Sequence, residues 1–430
     1  MKIIEKVYKN GITSAVIDTK KFKKNYFSLT YTLPMTESNA SNASALAATL
    51  ERGCEKYPTV TLMNRHLCAL YDASVGVYVS SCVNALLFRV VVNIIDGKYA
   101  LEKDFDLFYE SLEFVKEMLF SPLTDGAELN PAYVESEKKR LSDIIKADIN
   151  NKDRYAVKRC SEIAYEGTPL AIGTRGSLDS VSSVTPRSAY EMLKYITEKC
   201  ACYAVFSGDF TEDKERALDK FLSELSRERE GKELLSVDIG ATLPSFDKTK
   251  EVIEPVSAKQ GRMVLSYSYE SDGKSDVAPM LFDEIFGASP VSRLFMNVRE
   301  RLSLCYYCAS GANIMLSRML VRSGLDFEKR DEAMAEIKRQ IGLLSEAKNI
   351  SDEELMMAKK SRISTYAALK DSCSQYADWY VMRRIAGYET DVDAIISAIE
   401  AVSAEDVARI ARSLKLEVSY FLNGTEGAQA

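Results

Sequence analysis

Arg299 and Tyr306 have the types and spacing to hold a carbonyl or an oxyanion. They stand seven residues apart in the stretch 290–311, PVSRLFMNVRERLSLCYYCASG. An arginine presents a rigid fork of donors to a carbonyl or carboxylate, and a phenol adds one donor of adjustable position. Aimed at one point, the two would grip a peptide backbone or stabilise a developing oxyanion. Spacing alone leaves a second reading open, a surface arginine beside a tyrosine packed in a core.

The elements that must position the pair are a helix and a strand. Val291, Leu294, Phe295, Val298 and Leu302 recur at the three-and-four spacing of one helix face, with Arg293, Asn297, Glu300 and Arg301 on the other. Residues 304–309 then turn aromatic and strand-like. A helix running straight into a strand can point an arginine of its last turn and a tyrosine of the first strand residues into one space. Cys305 and Cys308 form a C-x-x-C in this strand. Strand positions three apart face opposite sides, which argues against a redox or metal role for them.

Composition narrows the function classes. The 430 residues predict two to four domains, and 46 % hydrophobic with 28 % charged residues is the balance of a soluble globular protein. A net charge of −7 argues against a nucleic-acid binder, since no basic excess is there to neutralise phosphates. The first residues, MKIIEKVYKNGITSAVID, lack the apolar core of a signal peptide, and no apolar run reaches membrane-spanning length. The expected location is the cytoplasm, with no membrane association. Nine cysteines, an odd and scattered count, suit free thiols in a reducing compartment.

The chain has a single histidine, His66. Catalytic zinc sites generally need two or three His, or His with Glu or Cys, and a Ser/His/Asp or Cys/His catalyst would have to run through this one residue. It lies in a helical pattern, TLMNRHLCALYDA, and reads as a helix surface or groove residue. Glu135 and Glu137 stand two apart on a predicted helix, point to different faces and read as solvated.

Taken in order, the chain predicts strands at 13–18 and 26–33, a Ser/Asn-rich turn at 36–42, helices at 43–51 and about 59–71, and strands at 74–80 and 86–95. Helices at 103–120, 131–151, 152–166 and 186–199, a strand at 203–208 and a charged helix at 212–230 complete the first half. The stretch 231–260, with Pro244 and Pro255 and little pattern, reads as a linker. The order then begins again: RMVLSYSYE answers YFSLTYTLP, APMLFDEIFG answers SALAATLERG, and VSAEDVARIARSLKLEVSYFLNGT answers VTPRSAYEMLKYITEKCACYAVFSGD. The stretch from Ser292 likewise answers TLMNRHLCALYDASVGVYVS, and the helix pair after Ser351 answers that after Asn130. The fold expected is α+β in two homologous halves, 1–230 and 261–430, each an antiparallel-rich sheet covered by helices.

With these motifs in place the chain resembles the pitrilysin/insulinase peptidases, the inverzincins, over nearly its whole length. That family pairs H-x-x-E-H ahead of F-K-G-T in its active half with S-R-L-F-x-x-x-R-E-x-x-G-L-x-Y in its other half. Here Ser292-Arg293-Leu294-Phe295, Arg299-Glu300, Leu304 and Tyr306 fall at the second motif's spacing, and Ser303 stands where the family usually has Gly. The resemblance implies that Arg299 and Tyr306 contact substrate and that the two halves form half of a clamshell around a peptide. Aligning 51–58, ERGCEKYP, on F-K-G-T-x-x-Y-P puts Ser44, Ala47 and Ala48 where the zinc ligands and general base would be. Glu137 matches the first Glu of the later helix, and the ligand position seven residues on is Ile144. Alanine and isoleucine have no lone pairs for Zn²⁺ and no proton to exchange with water.

The expectation is therefore a non-catalytic chain with no metal and no cofactor of its own. It would be one subunit of a heterodimeric zinc peptidase, lending Arg299 and Tyr306 to a zinc-bearing homologous partner that cleaves peptide. The alternative is a pseudo-peptidase that binds peptide or protein without cleavage, as a scaffold or homodimer.

Overall fold

The computed structural model describes residues 2–102, 105–240, 243–271, 273 and 277–424. Its long strands fall into two sheets of matching wiring. The first holds β1 (Lys2–Tyr8), β2 (Ile12–Asp18), β3 (Lys24–Pro34), β4 (Ser74–Cys82), β5 (Ala85–Ile95) and β8 (Ala201–Gly208), in the order β1-β2-β8-β3-β5-β4. A small hairpin, β6 (Thr124–Asp125) and β7 (Glu128–Leu129), stands apart from it. The second holds β9 (Lys250–Val256), β10 (Gly261–Ser268), β11 (Tyr307–Asn313), β12 (Arg318–Leu325) and β13 (Lys415–Gly424), in the order β11-β12-β10-β13-β9. Neighbours run antiparallel except for one parallel pair in each sheet, β2 with β8 and β9 with β13. The repeat is thus present strand for strand, with β1 as an addition.

Two strands depart from the expectation. β1 returns into β2 through a three-residue loop in which Asn10 and Gly11 both take positive φ, +59° and +72°, the residue types that tolerate that region. β9 lies inside the stretch expected to be a linker. Its residues are alternately exposed, and it sits at the sheet's edge, where Pro255 costs no ladder bond toward a further strand. An edge strand buries only part of one face, so its hydrophobic signal is weak.

Helices cover the sheets: α1 (Glu37–Leu50), α2 (Val60–Ala69), α3 (Leu107–Phe120), α4 (Pro131–Ala147), α5 (Lys152–Ala164), α6 (Leu178–Ser182), α7 (Pro186–Lys199) and α8 (Glu212–Arg227) come from the first half. The second half supplies α9 (Ala278–Asp283), α10 (Arg330–Leu344), α11 (Asp352–Leu369), α12 (Cys373–Ala386), α13 (Val392–Ala401) and α14 (Ala404–Ser413). The Ser/Asn-rich residues 37–42, expected as a turn, are the first turns of α1. Thr36 caps it by accepting from Asn39 N–H at 3.1 Å. From Ala40 to Leu50 every residue of α1 is buried. The expected helix from 103 starts at Leu107, and 103–104 lie outside the described residues.

By internal contacts the described residues up to Lys146, with Ile172–Gly240 and Leu369–Ile385, form one unit. Residues 147–171, 243–368 and 386–424 form the other. The division expected at 1–230, 231–260 and 261–430 differs from this in two places. α5, from the first half, belongs to the second unit, and α12, from the second half, belongs to the first. Residues 241–242 of the expected linker and 425–430 of the expected second half lie outside those described.

Side-chain chemistry fixes both exchanged helices. On α5 the hydroxyl of Tyr155 donates to Glu254 of β9 at 2.6 Å and Arg159 Nε lies 3.2 Å from the same carboxylate, which also accepts from Tyr420 of β13 at 2.9 Å. Beneath them Ala156 and Cys160 pack with Val264, Val418, Tyr420 and Leu422. On α12 the same Tyr-x-x-x-Arg pattern recurs, with Tyr380 and Arg384 both bonded to Glu5 of β1. Asp378, on the same helix, accepts from Tyr26 Oη at 2.5 Å and from the buried Arg89. Among the described residues no helix is long and apolar enough to cross a membrane.

The Glu254 cluster has a testable consequence. Burial raises the Glu254 pKa, but the Tyr155 and Tyr420 hydroxyls and Arg159 outweigh it and hold the carboxyl below its ordinary 4.5. A depressed folded pKa gives stability that is present above the unfolded value and lost as pH falls through the folded one. Glu254→Ala is expected to lower stability by about 1.5–3 kcal/mol at pH 7 and to flatten the acid limb of the stability curve. Thermal unfolding of both proteins across pH 3–8 would measure it, and parallel curves would count against the cluster.

Candidate functional site

The segment before Tyr306 folds as a helix that winds wider than expected. Leu294–Arg301 is π-helical, not α-helical, and Leu302 N–H reaches back to Asn297 O at 3.2 Å. Leu294 and Val298 bury the inner side, leaving Arg299 outward with its guanidinium over the Phe295 ring, 4.7 Å from the centroid. The helix stops at Ser303, whose φ is +48°. Ser303 N–H donates to Arg299 O at 3.0 Å and Leu304 N–H to Val298 O at 2.9 Å, closing the last turn. The left-handed residue explains why a glycine suits this position, and here a serine occupies it.

After Leu304, which is buried, the chain bends at Tyr306 and enters β11. Tyr306 N–H donates to Gly324 O at 2.8 Å, and its side chain is 51 % exposed. The open alternative of a core tyrosine is excluded. Its hydroxyl donates to Asp326 Oδ1 at 2.8 Å, and that carboxylate raises the phenol's pKa. Arg299, Glu300, Ser303, Leu304, Cys305, Tyr306, Asp326 and Lys329 line one recess of about 410 Å³. The structure therefore brings Arg299 and Tyr306 together. Lys329 Nζ donates to Ser303 O at 2.9 Å and lies 3.8 Å from Asp326. Sequence reasoning missed Asp326 and Lys329, because only the pairing of β11 with β12 places them beside Tyr306.

The C-x-x-C lies at the entry to β11. Strand alternation starts only at Tyr307, after the bend at Tyr306. Cys305 is half-buried in the recess wall and Cys308 is buried.

The positions aligned with the family's zinc site also converge. Ser44, Ala47 and Ala48 of α1 and Ile144 of α4 line one recess of about 190 Å³ with Glu51, Arg140, Tyr78, Thr174 and Arg175 among others. Ser44 Oγ donates to Thr174 O at 2.9 Å. Glu51 accepts from Val77 N–H at 2.9 Å, and burial raises its pKa. These side chains do not fit a zinc ion: three of the four aligned positions have no lone pair, and two arginines oppose a cation. Among the described residues no three His, Cys, Asp or Glu are gathered in a way that could hold a metal. Glu137, read from sequence as solvated, is 3 % exposed and ion-paired with Arg140 and, at 3.4 Å, with Arg52. His66 lies on α2 with its ring stacked 4.5 Å from that of Tyr57, a packing role.

Two substitutions test these geometries. Ser303→Gly relieves the left-handed residue and should raise stability by about 0.5–1 kcal/mol in thermal unfolding; no gain would mean the turn carries no strain. Ser44→His, Ala48→His and Ile144→Glu together should give a chain that retains about one equivalent of zinc after dialysis, measured by elemental analysis. A folded triple variant without zinc would show that the aligned positions do not converge on one metal-sized point.

Comparison with known proteins found similar sequences and folds. A family profile described as the peptidase M16 inactive domain matches residues 190–362, from α7 into α11 and across the Arg299/Tyr306 segment. A Bacillus subtilis protein named probable inactive metalloprotease YmfF is 26 % identical over 421 residues, 97 % of each chain. A conserved Enterococcus faecalis protein of known structure superposes with a TM-score of 0.89 at 22 % identity, covering 99 % of this chain and all of that one. A Pseudomonas fluorescens structure titled a peptidase M16 inactive domain gives 0.78 at 15 % identity over the whole of both chains. By these likenesses the chain has the fold of the M16 peptidase structures, and its residues 190–362 match the inactive domain of that family.

Proposed function

We propose that this chain is the non-catalytic subunit of a heterodimeric, cytoplasmic zinc peptidase. A homologous partner chain with an intact H-x-x-E-H supplies the metal, and this chain supplies Arg299 and Tyr306 to the peptide. The observation that carries the reading is the contrast between its two recesses. At the aligned zinc positions Ser44, Ala47, Ala48 and Ile144 keep the frame but offer no metal-binding set. In the other recess Arg299 and Tyr306 keep their donors and their access to solvent.

In that role the Arg299 guanidinium, braced on Phe295, binds and orients a substrate carbonyl. Tyr306, whose hydroxyl exchanges between Asp326 and a ligand, adds a second donor. No proton or bond is transferred by this chain's own residues. A pseudo-peptidase that binds peptide alone or as a homodimer is favoured by one observation, that the Arg299/Tyr306 recess is complete without a metal.

The decisive experiment mixes the purified chain with a homologous chain carrying H-x-x-E-H and follows peptide turnover. Arg299→Ala and Tyr306→Phe are each expected to lower turnover of the pair about tenfold or more while co-elution of the two chains is unchanged. Turnover unaffected by both substitutions would end the subunit reading. Peptide binding by this chain alone, with no gain on adding a zinc-bearing chain, would favour the pseudo-peptidase.

A further inference from the structure

The recess at the aligned zinc positions is built against a cation and toward an anion. It lies between α1, α4, β4 and the loop 173–176, all within the first unit. Arg140 and Arg175 line it together with a single carboxylate, Glu51. Beside it Glu137 serves two guanidiniums, bonding Arg140 and pairing with Arg52 at 3.4 Å. Three arginines thus stand against two glutamates, a local positive excess in a chain whose net charge is −7.

Arg175 is the uncompensated charge. The loop that carries it is fastened to α1 on both sides: Ser44 Oγ donates to Thr174 O at 2.9 Å, and Ser177 N–H donates to Glu37 Oε2 at 2.7 Å. Gly176 makes the turn between these anchors with a φ of +72°. The Arg175 side chain is half-buried, and among the described residues its guanidinium has no hydrogen-bond or ion-pair partner. Glu51 is turned instead to Val77 N–H, 2.9 Å away. A donor fork on a backbone already fixed in place loses little freedom when a ligand takes it.

The rest of the lining decides which anion fits. Ala47, Ala48, Val77, Leu141 and Ile144 set apolar surface beside the two arginines. A free inorganic anion would gain nothing from these carbons and would lose hydration against them. A carboxylate on a short aliphatic stem buries the stem there and presents a planar pair of oxygens to the guanidinium fork. The volume of about 190 Å³ is below that of a pocket for a whole ligand and suits one such group. We propose that this recess binds one carboxylate of a peptide, from an acidic side chain or the C-terminus, with Arg175 as the first donor and Arg140 as the second. The inference does not rest on the role of Arg299 and Tyr306, which belong to the other unit.

The test uses the intact chain and saturation-transfer NMR observed on the ligand. The probes are butyrate, butylamine and two N-acetylated tripeptides. One has a central glutamate and an amidated end, so its only carboxylate is on the side chain; the other has a central glutamine and a free end, so its only carboxylate is the C-terminus. Butyrate is expected to bind and butylamine not to, and whichever peptide binds identifies the source of the carboxylate. Arg175→Met should weaken butyrate binding about tenfold or more, with the unfolding temperature unchanged because the guanidinium has no partner within the chain, and Arg175→Lys should keep part of the affinity. Butylamine binding as well as butyrate, neither peptide binding, or butyrate affinity unchanged in Arg175→Met would each overturn the proposal. The comparison of the four probes is made on the unsubstituted chain and stands whether or not a variant folds.

Discussion

Each sheet of this protein is finished by a helix that the other half of the sequence supplies. The carboxylate of Glu254, held by Tyr155 and Arg159 from α5 and by Tyr420 from β13, is the clearest case. A glutamate on an edge strand would ordinarily stay in water. Here two phenols and a guanidinium replace its hydration, and the apolar side of α5 covers Val264, Val418 and Leu422. α12 repeats the device with Tyr380, Arg384 and Glu5. Neither half of the sequence holds its own sheet's full cover, so the repeat visible in the sequence is not the same thing as a folding unit.

That constraint leaves α1 as the buried centre of the first unit. A helix with every residue from Ala40 to Leu50 buried must be lined with small side chains to fit, and SALAATL supplies them. In a metal-bearing relative this helix face would have to carry imidazoles and a carboxylate. The substitution of Ser44, Ala47 and Ala48 converts a polar face into ordinary packing, with Ser44 satisfied by Thr174 O.

The second unit sets two donors along one recess. Its Arg299 and Tyr306 are separated by a widened helical turn and a left-handed serine, and both features turn the chain sharply enough to set the two side chains along one recess. Wide helical turns and positive-φ residues cost conformational energy and cluster where a site needs them.

Much of this was readable from residues alone. Amphipathic spacing located most of the helices, alternation located the central strands, and the ordered recurrence of motifs revealed the repeat, because buried faces leave a periodic mark on the chain. Residue types and spacing drew attention to Arg299 and Tyr306, and the resemblance to a family's motifs pointed to Ser44, Ala47, Ala48 and Ile144. What it could not reveal depends on pairing between distant residues. β9 has the faint signal of an edge strand, Glu137 is buried and ion-paired with Arg52 from the turn after α1, and Asp326 reaches Tyr306 only through the β11–β12 register. The exchange of α5 and α12 leaves no local signal, since each helix has the same apolar face whichever sheet it covers. Sequence determined which surfaces had to be buried; tertiary structure decided against what, because burial is a property of a residue and its partner together.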